Sequence, residues 1–315
     1  MDLHPSDTEE AVRSASEAYL RDTMPLSDAR DRPEGIWRGM ADMGWFGIAL
    51  PEEAGGIGLT LGAEALVFAE LGRHLAPLGA IAATVAVDIA HRAGNAELAA
   101  MILAGNTRVA LGLPQQGGRL RVLDAEGADI VTVVTDGSGA LHPVPADWSA
   151  GPCLDLSSSQ AVIDRPAGAP LAIFDGGHAA AHQMIAAAAF ALGCGEAARD
   201  MAAAYAQTRE QFGQPIGAFQ GVKHPCADMA VRTSAARAQL LYAAMALDGG
   251  TADCVFQVAV AKRLADAAAL HNGRGNIQVH GGMGMTDECD AHLVLKRAHT
   301  LQFVSPATVG MLLAA

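Results

Sequence analysis

The sequence predicts a mainly α-helical protein with a small β-domain set between an N-terminal helical domain and a C-terminal four-helix bundle. Three observations carry this. Apolar residues recur at three-to-four spacing over residues 1–105. Short β-like runs separated by Gly, Pro, Asp and Ser fill 106–177. Long helical periods return over 178–315. Aromatic residues make up only 4% of the 315, and Ala supplies much of the 51% hydrophobic content, which favours close helix–helix packing.

In the first segment the periodicity predicts helices over Glu9–Arg21, Glu34–Met43, Leu61–Leu71 and Ile81–Ala93. Pro25, then Pro51 with Gly55 and Gly56, then Pro77 through Gly79 break them apart. In the second, strands are expected at Arg108–Leu113, Leu120–Leu123, Asp129–Thr135, Gln160–Ile163 and Leu171–Phe174. Five short strands in roughly 70 residues form a trimmed sheet and exclude a doubly wound domain. In the third, Ala179 to about Phe212 is apolar nearly all round, as befits a helix buried among others. Ala218–Gly249, Cys254–Gln278 and a shorter helix near Asp287–Arg297, capped by Thr286 or Asp287, complete the bundle.

Charge and cysteines exclude several function classes. The 21 basic and 34 acidic residues give a net charge of −13, and no basic run exceeds two residues, which argues against nucleic acid. Five scattered cysteines without C-x-x-C spacing argue against a disulfide framework and against a zinc or other metal site. The N-terminus is acidic and lacks an apolar signal core, and the longest apolar stretch is too short to span a bilayer; a soluble cytoplasmic protein is expected, with no membrane partner.

Two stretches carry chemistry. In Ala206-Gln-Thr-Arg-Glu-Gln-Phe-Gly-Gln-Pro-Ile-Gly, Gly213 suits a left-handed helix C′ position and Pro215 a helix stop. Arg209 then either complements a helix dipole or binds an anion, its planar fork matching phosphate. In Ile277-Gln-Val-His-Gly-Gly-Met-Gly-Met-Thr-Asp-Glu, the glycines form a tight turn or bring bare N–H groups towards a pyrophosphate. Neither this stretch nor Gly273-Arg274-Gly275 is a dinucleotide fingerprint, because no strand precedes it and the spacing fails. His280 has no partner in the sequence and reads as a structural or loop histidine. Glu52, Glu53, Asp287 and Glu288 fall at expected helix starts, and Trp37, Met40, Met43 and Trp45 at core spacing.

Together these residues resemble the acyl-CoA dehydrogenase family. The likeness rests on R-x-x-F-G, on F-Q at Phe219-Gln220, on K-H-x-x-A-D-M from Lys223 to Met229, on Ala261-Lys262 and on Q-x-x-G-G, with Met43-Gly-Trp-Phe-Gly-Ile-Ala-Leu-Pro-Glu-Glu-Ala-Gly-Gly-Ile-Gly in the first segment. It implies an N-terminal helical domain over 1–105, a middle β-domain over 106–177 and a bundle over 178–315. It also implies FAD bound across a subunit interface and α,β-dehydrogenation of an acyl-CoA thioester. By resemblance, Arg209, Phe212 and Gln220, with Gln278, Gly281 and Gly282, contact the ADP half of a flavin held mainly by a neighbouring chain.

The resemblance also exposes a gap. The family's catalytic Glu lies nine residues after an Arg matched by Arg297, in E-G-T; here that triplet is Pro306-Ala307-Thr308. Thr308 is kept as a cofactor contact, but the acid is gone, and proline lacks even the N–H that would face the developing enolate oxygen. The other family position for the acid holds Gln183. The next acid along the helix, Glu196, is 13 residues further, about 20 Å. The family's T-E-P-x-A-G-S-D motif survives near Leu111–Gly118 only as a Pro and a Gly, and its W-x-T-N-G contact is not identifiable. The expectation is a chain with no catalytic residue of its own: the non-catalytic subunit of an α2β2 heterotetramer. Its partner is a catalytic acyl-CoA dehydrogenase subunit, its acceptor an electron-transferring flavoprotein, and its substrates resemble steroid side-chain thioesters. Two other readings stay open: a homomeric enzyme with a displaced base or His280 as base, and a flavin-free acyl-CoA-binding or scaffold protein.

Overall fold

The computed structural model describes residues 4–33, 35–135, 137–145, 148–164 and 168–313. Helix α1 (Asp7–Thr23) opens on a capping box, in which Ser6 and Glu9 satisfy each other's backbone N–H groups. Helices α2 (Ile36–Asp42), α3 (Leu61–Arg73) and α4 (Gly79–Arg92) match the periodicity; Glu34 itself lies outside the described residues. Thr60 caps α3, accepting the Ala63 N–H at 3.0 Å. A further helix, α5 (Ala96–Leu103), was not foreseen: eight residues hold too few turns for periodicity to register, although the Asn95 cap marks its start.

Among the described residues the middle segment contains seven strands in one sheet, where the sequence predicts five. They are β1 (Val109–Pro114), β2 (Arg119–Leu123), β3 (Ile130–Val134), β4 (Ser138–Pro143), β5 (Gly151–Pro152), β6 (Ser159–Asp164) and β7 (Ala172–Asp175). Their order is β5-β6-β2-β1-β3-β4-β7. Among the described residues only β1–β3 is parallel. The unforeseen β4 and β5 lack β-branched residues; pairing to β3, β7 and β6 fixes them instead. Alternation sorts the sheet's two faces. Val109, Leu111 and Leu113 join the main core, while Ala110, Leu120, Val122, Val131 and Val133 form a small second core behind.

Helix α6 (Gly176–Thr208) is the spine, buried on every side over residues 181–198. Helices α7 (Gln220–Asp248), α8 (Cys254–His280) and α9 (Ala291–Leu301) pack with it as the bundle, and a short α10 (Val309–Leu313) follows. Helix α3 crosses α6 with the backbones in contact: a Cβ on Gly193 would overlap the Ala69 carbonyl, and one on Gly72 the Phe190 carbonyl. Helix α9 begins four residues later than expected, and neither Thr286 nor Asp287 caps it. The Thr286 hydroxyl instead donates to the Met283 carbonyl at 2.9 Å, closing the 281–285 turn. Arg297 is fully buried and joins α9 to the sheet. It pairs with Asp155 and donates to the carbonyl of Ala76 and the hydroxyl of Ser157. All five cysteines are free; Cys194 alone is fully buried, and burial pushes its thiol up to about 12. Among the described residues no helix is long and apolar enough to cross a membrane.

Candidate functional site

Six of the residues expected to bind cofactor gather at one end of the bundle. Because α7 runs antiparallel to both neighbours, the ends of α6 and α8 meet the start of α7. Stacking of His280 on Tyr205, with ring centroids 4.2 Å apart, ties the two ends together. His280 Nδ1 bonds the Asn276 carbonyl at 2.9 Å, so its packing agrees with a structural role.

The α6 exit differs from expectation. The helix stops at Thr208, with Arg209 as its C-cap, and Gly213 is not its C′ residue. Instead β8 (Glu210–Gln211) and β9 (Gln214–Pro215) pair, Gln211 opposite Gln214, leaving Phe212 and Gly213 as a two-residue turn. Both have positive φ, +54° and +79°, the signature of a type I′ hairpin. The turn holds Phe212 93% exposed, edge-on to Phe219. Arg209 is exposed, and among the described residues its guanidinium makes no ion pair. Gln220 and Gln278 are exposed on the first turn of α7 and the last of α8. Gly281 has φ +62°, and neither it nor Gly282 has a neighbour within 4 Å of where a Cβ would stand. A free guanidinium, an exposed ring, two amides and bare backbone suit a nucleotide diphosphate approaching from outside the chain.

Thr308 is not among them. Its hydroxyl accepts the Met311 N–H at 3.3 Å, in the first turn of α10. Pro306 is exposed and follows Ser305, at φ +44°. Gln183 lies towards the other end of α6, 2% exposed, its Oε1 without a hydrogen-bond partner. Glu196 is a structural anchor: Arg237 donates to both its oxygens, at 3.0 and 2.7 Å.

Next to Gln183 the structure assembles a cluster that sequence reasoning missed. A cavity of about 170 Å³ is lined by charged groups from four helices. Glu64 of α3 meets His182 of α6 at 2.7 Å and accepts the Thr84 hydroxyl at 2.8 Å. Asp88 of α4 lies 2.9 Å from His178 and accepts from Arg92 at 2.7 Å. Asp248, at the end of α7, accepts the Leu61 N–H at 2.9 Å. Burial opposes the charge of His182, but the Glu64 carboxylate outweighs it and raises the imidazole above its ordinary value. The only sequence signal was His178 and His182 at helical i, i+4 spacing.

Burial pushes Asp88 up, yet the hydrogen bond from His178, the charge of His182 and the bond from Arg92 together hold it at about 2. A carboxylate whose folded value is depressed stabilises the fold above its unfolded value of 3.8, and that stabilisation is lost as pH falls from 3.8 through 2. Asp88→Asn should therefore flatten the fall in melting temperature between about pH 4 and 2 relative to the unaltered chain. Parallel acid limbs in the two proteins would show that Asp88 is not held this way.

Comparison with known proteins places this geometry. Residues 6–108 match the acyl-CoA dehydrogenase N-terminal domain, and 178–305 the acyl-CoA dehydrogenase C-terminal domain. Acyl-CoA dehydrogenase IpdE2 of Mycobacterium tuberculosis is 33% identical over 299 residues, covering 91% of this chain and 87% of IpdE2. The chain belongs to the acyl-CoA dehydrogenase family. Within the family, FadE34 of M. tuberculosis is also 33% identical, over 277 residues and 84% of this chain, which spans only 39% of the length of FadE34. The Tcur3481-Tcur3483 steroid ACAD superposes with a TM-score of 0.81 at 26% identity, covering 97% of this chain and 96% of that one. The family is generally FAD-dependent. Against that cofactor the two halves of the site differ. The bundle end offers exposed donors and bare backbone, whereas Pro306 offers no N–H and no carboxylate.

Proposed function

We propose that this chain is the non-catalytic subunit of a heteromeric acyl-CoA dehydrogenase, gripping the ADP half of FAD across the interface with a catalytic partner. The observation that carries this reading is the contrast just described: Arg209, Phe212, Gln220, Gln278, Gly281 and Gly282 gathered at one end of the bundle, and no acid at Pro306 or Gln183. Arg209 would hold the pyrophosphate, Phe212 would cover the adenosine, and Gly281 and Gly282 would offer backbone N–H groups. Flavin, when bound, supplies the hydride acceptor for α,β-dehydrogenation. The proton acceptor and the ring pocket would come from the partner. Likeness to a steroid ACAD supports a bulky CoA thioester as substrate. An electron-transferring flavoprotein as acceptor and an α2β2 assembly are what the family resemblance implies. The test is to purify the chain alone and with a full-length dehydrogenase subunit, measuring flavin absorbance and turnover. Both should appear only in the complex; flavin and turnover in the solitary chain would overturn the division of labour.

Arg209→Ala should weaken flavin retention by the complex about tenfold or more, the cost of a lost charge-assisted hydrogen bond, with the melting temperature of the chain unchanged. Retention at the unaltered level would return Arg209 to a helix-end role.

The ionic cavity that holds Glu64 and His182 bears on the second reading, a self-sufficient enzyme with a displaced base. Both oxygens of Glu64 are already engaged, by His182 and Thr84, which favours a structural reading. Turnover by the solitary chain that disappears in Glu64→Gln would favour the enzyme.

A further inference from the structure

A second cleft, on the opposite side of the sheet from β7, has no part in the reading above. It encloses about 1050 Å³ between the chain leading into α2 and the β2–β5–β6 side of the sheet, room enough for a nucleotide-sized ligand. Its lining includes Arg30, Arg32, Trp37, Arg108, Trp148 and Ser158.

Several of these groups are donors in want of an acceptor. Trp37 is 9% exposed, and its indole Nε1–H is buried without a hydrogen-bond partner. The Nε–H of Arg32 is likewise buried and unpartnered, although the same guanidinium donates to the carbonyls of Pro25 and His74. Among the described residues neither Arg32 nor Arg108 has a carboxylate within ion-pair distance. Arg108 lies over the Trp37 ring, 6.0 Å from its centroid, while Arg30 is 3.9 Å from Asp290. Acids also line the cleft, but they do not answer these donors. Asp124 spends its oxygens on the Gly79 N–H at 2.7 Å and the Ser158 hydroxyl at 2.6 Å. Asp31 and Glu126 are exposed, where solvent and salt screen them. Buried N–H groups without acceptors are costly, and such exceptions call for an explanation. Donors without acceptors, beside guanidiniums without a carboxylate in ion-pair contact, call for an anion that accepts hydrogen bonds at several oxygens.

We propose that this cleft is a phosphate-ester site, where Arg32 and the indole N–H of Trp37 receive the phosphate oxygens of a nucleotide-sized ligand and Arg108 supplies a second positive charge. Burial and the nearby Arg297 guanidinium outweigh the attraction of Asp28 and lower Arg32 to about 10, and a bound phosphate would oppose that.

Tryptophan emission gives the test, because two of the three tryptophans line the cleft and the third, Trp45, is buried with its N–H on Ser16. AMP is titrated into the full chain. A saturable change in emission is expected below about 1 mM, displaced by inorganic phosphate and absent with adenosine. Arg32→Gln and Arg108→Gln should each weaken AMP about tenfold, and Arg209→Ala should leave it unchanged. Arg108 holds no backbone carbonyl, so its variant keeps the test sound should Arg32→Gln fail to fold. No saturable change up to about 10 mM would overturn the site, as would equal affinity in Arg108→Gln, or loss of binding in Arg209→Ala, which would place the nucleotide at the bundle end.

Discussion

Replacing Arg297 with methionine is expected to cost the fold about 3–5 kcal/mol, the penalty for breaking a buried ion pair from one side. Arg297 and Asp155 are both 0% exposed as side chains. The guanidinium also donates to the Ala76 carbonyl at 2.6 Å, to the Ser157 hydroxyl at 2.8 Å and to the Leu75 carbonyl at 3.3 Å. Methionine fills most of the volume but leaves Asp155 charged and enclosed without a cation. It also strands the carbonyls of a loop that already holds Leu75 at φ +50°. The urea midpoint should fall with the slope unchanged. Adding Asp155→Leu should recover part of the loss, because the uncompensated charge then disappears. A single-variant cost below about 1 kcal/mol would mean that Asp155 already draws its support from Ser157 and water.

Gly193→Ala is expected to cost about 3 kcal/mol, the upper end of overpacking penalties. Alanine is the better helix former by about 1 kcal/mol, so elsewhere on α6 the change would help. At Gly193 the new methyl would run into the backbone oxygen of Ala69, and a carbonyl in a packed helix cannot rotate aside as a side chain can. Gly195→Ala is the matched control. Its Cβ would sit 3.2 Å from the Ala269 nitrogen, a few tenths of an ångström too close, and the propensity gain should offset that. Equal melting temperatures for the two variants would show that α3 can lift off α6 freely.

Much of this architecture was legible because long periodic segments announce themselves. The all-round apolar run of α6, helix α3 and the three later helices needed only spacing, while the one cap expected among them, at Thr286 or Asp287, was misplaced. Elements fixed by neighbours were not legible. Strand β4 owes its form to β3 and β7 on either side, not to Gly139, His142 or Pro143. The Gly213 expectation had the right backbone sign and the wrong device, since a left-handed residue serves a helix end and a type I′ turn equally well. At the bundle end, it was the family resemblance, not spacing, that grouped Arg209 with Gln278. The cluster beside Gln183 joins residues as far apart as Glu64, His182 and Asp248. A single sequence carries no mark that three distant ionisable groups will share one cavity.

The unbroken length of α6 sets a distance. From Gln183 to Arg209 the spine runs 26 residues, about 39 Å of continuous rise. A flavin dinucleotide is shorter than that. Any nucleotide clasped at the Arg209 end must therefore carry its redox ring to a thioester other than one lodged beside Gln183 of the same chain. Under the proposed function the helix would act as a ruler, keeping the two ends of one polypeptide assigned to different reaction centres of the assembly.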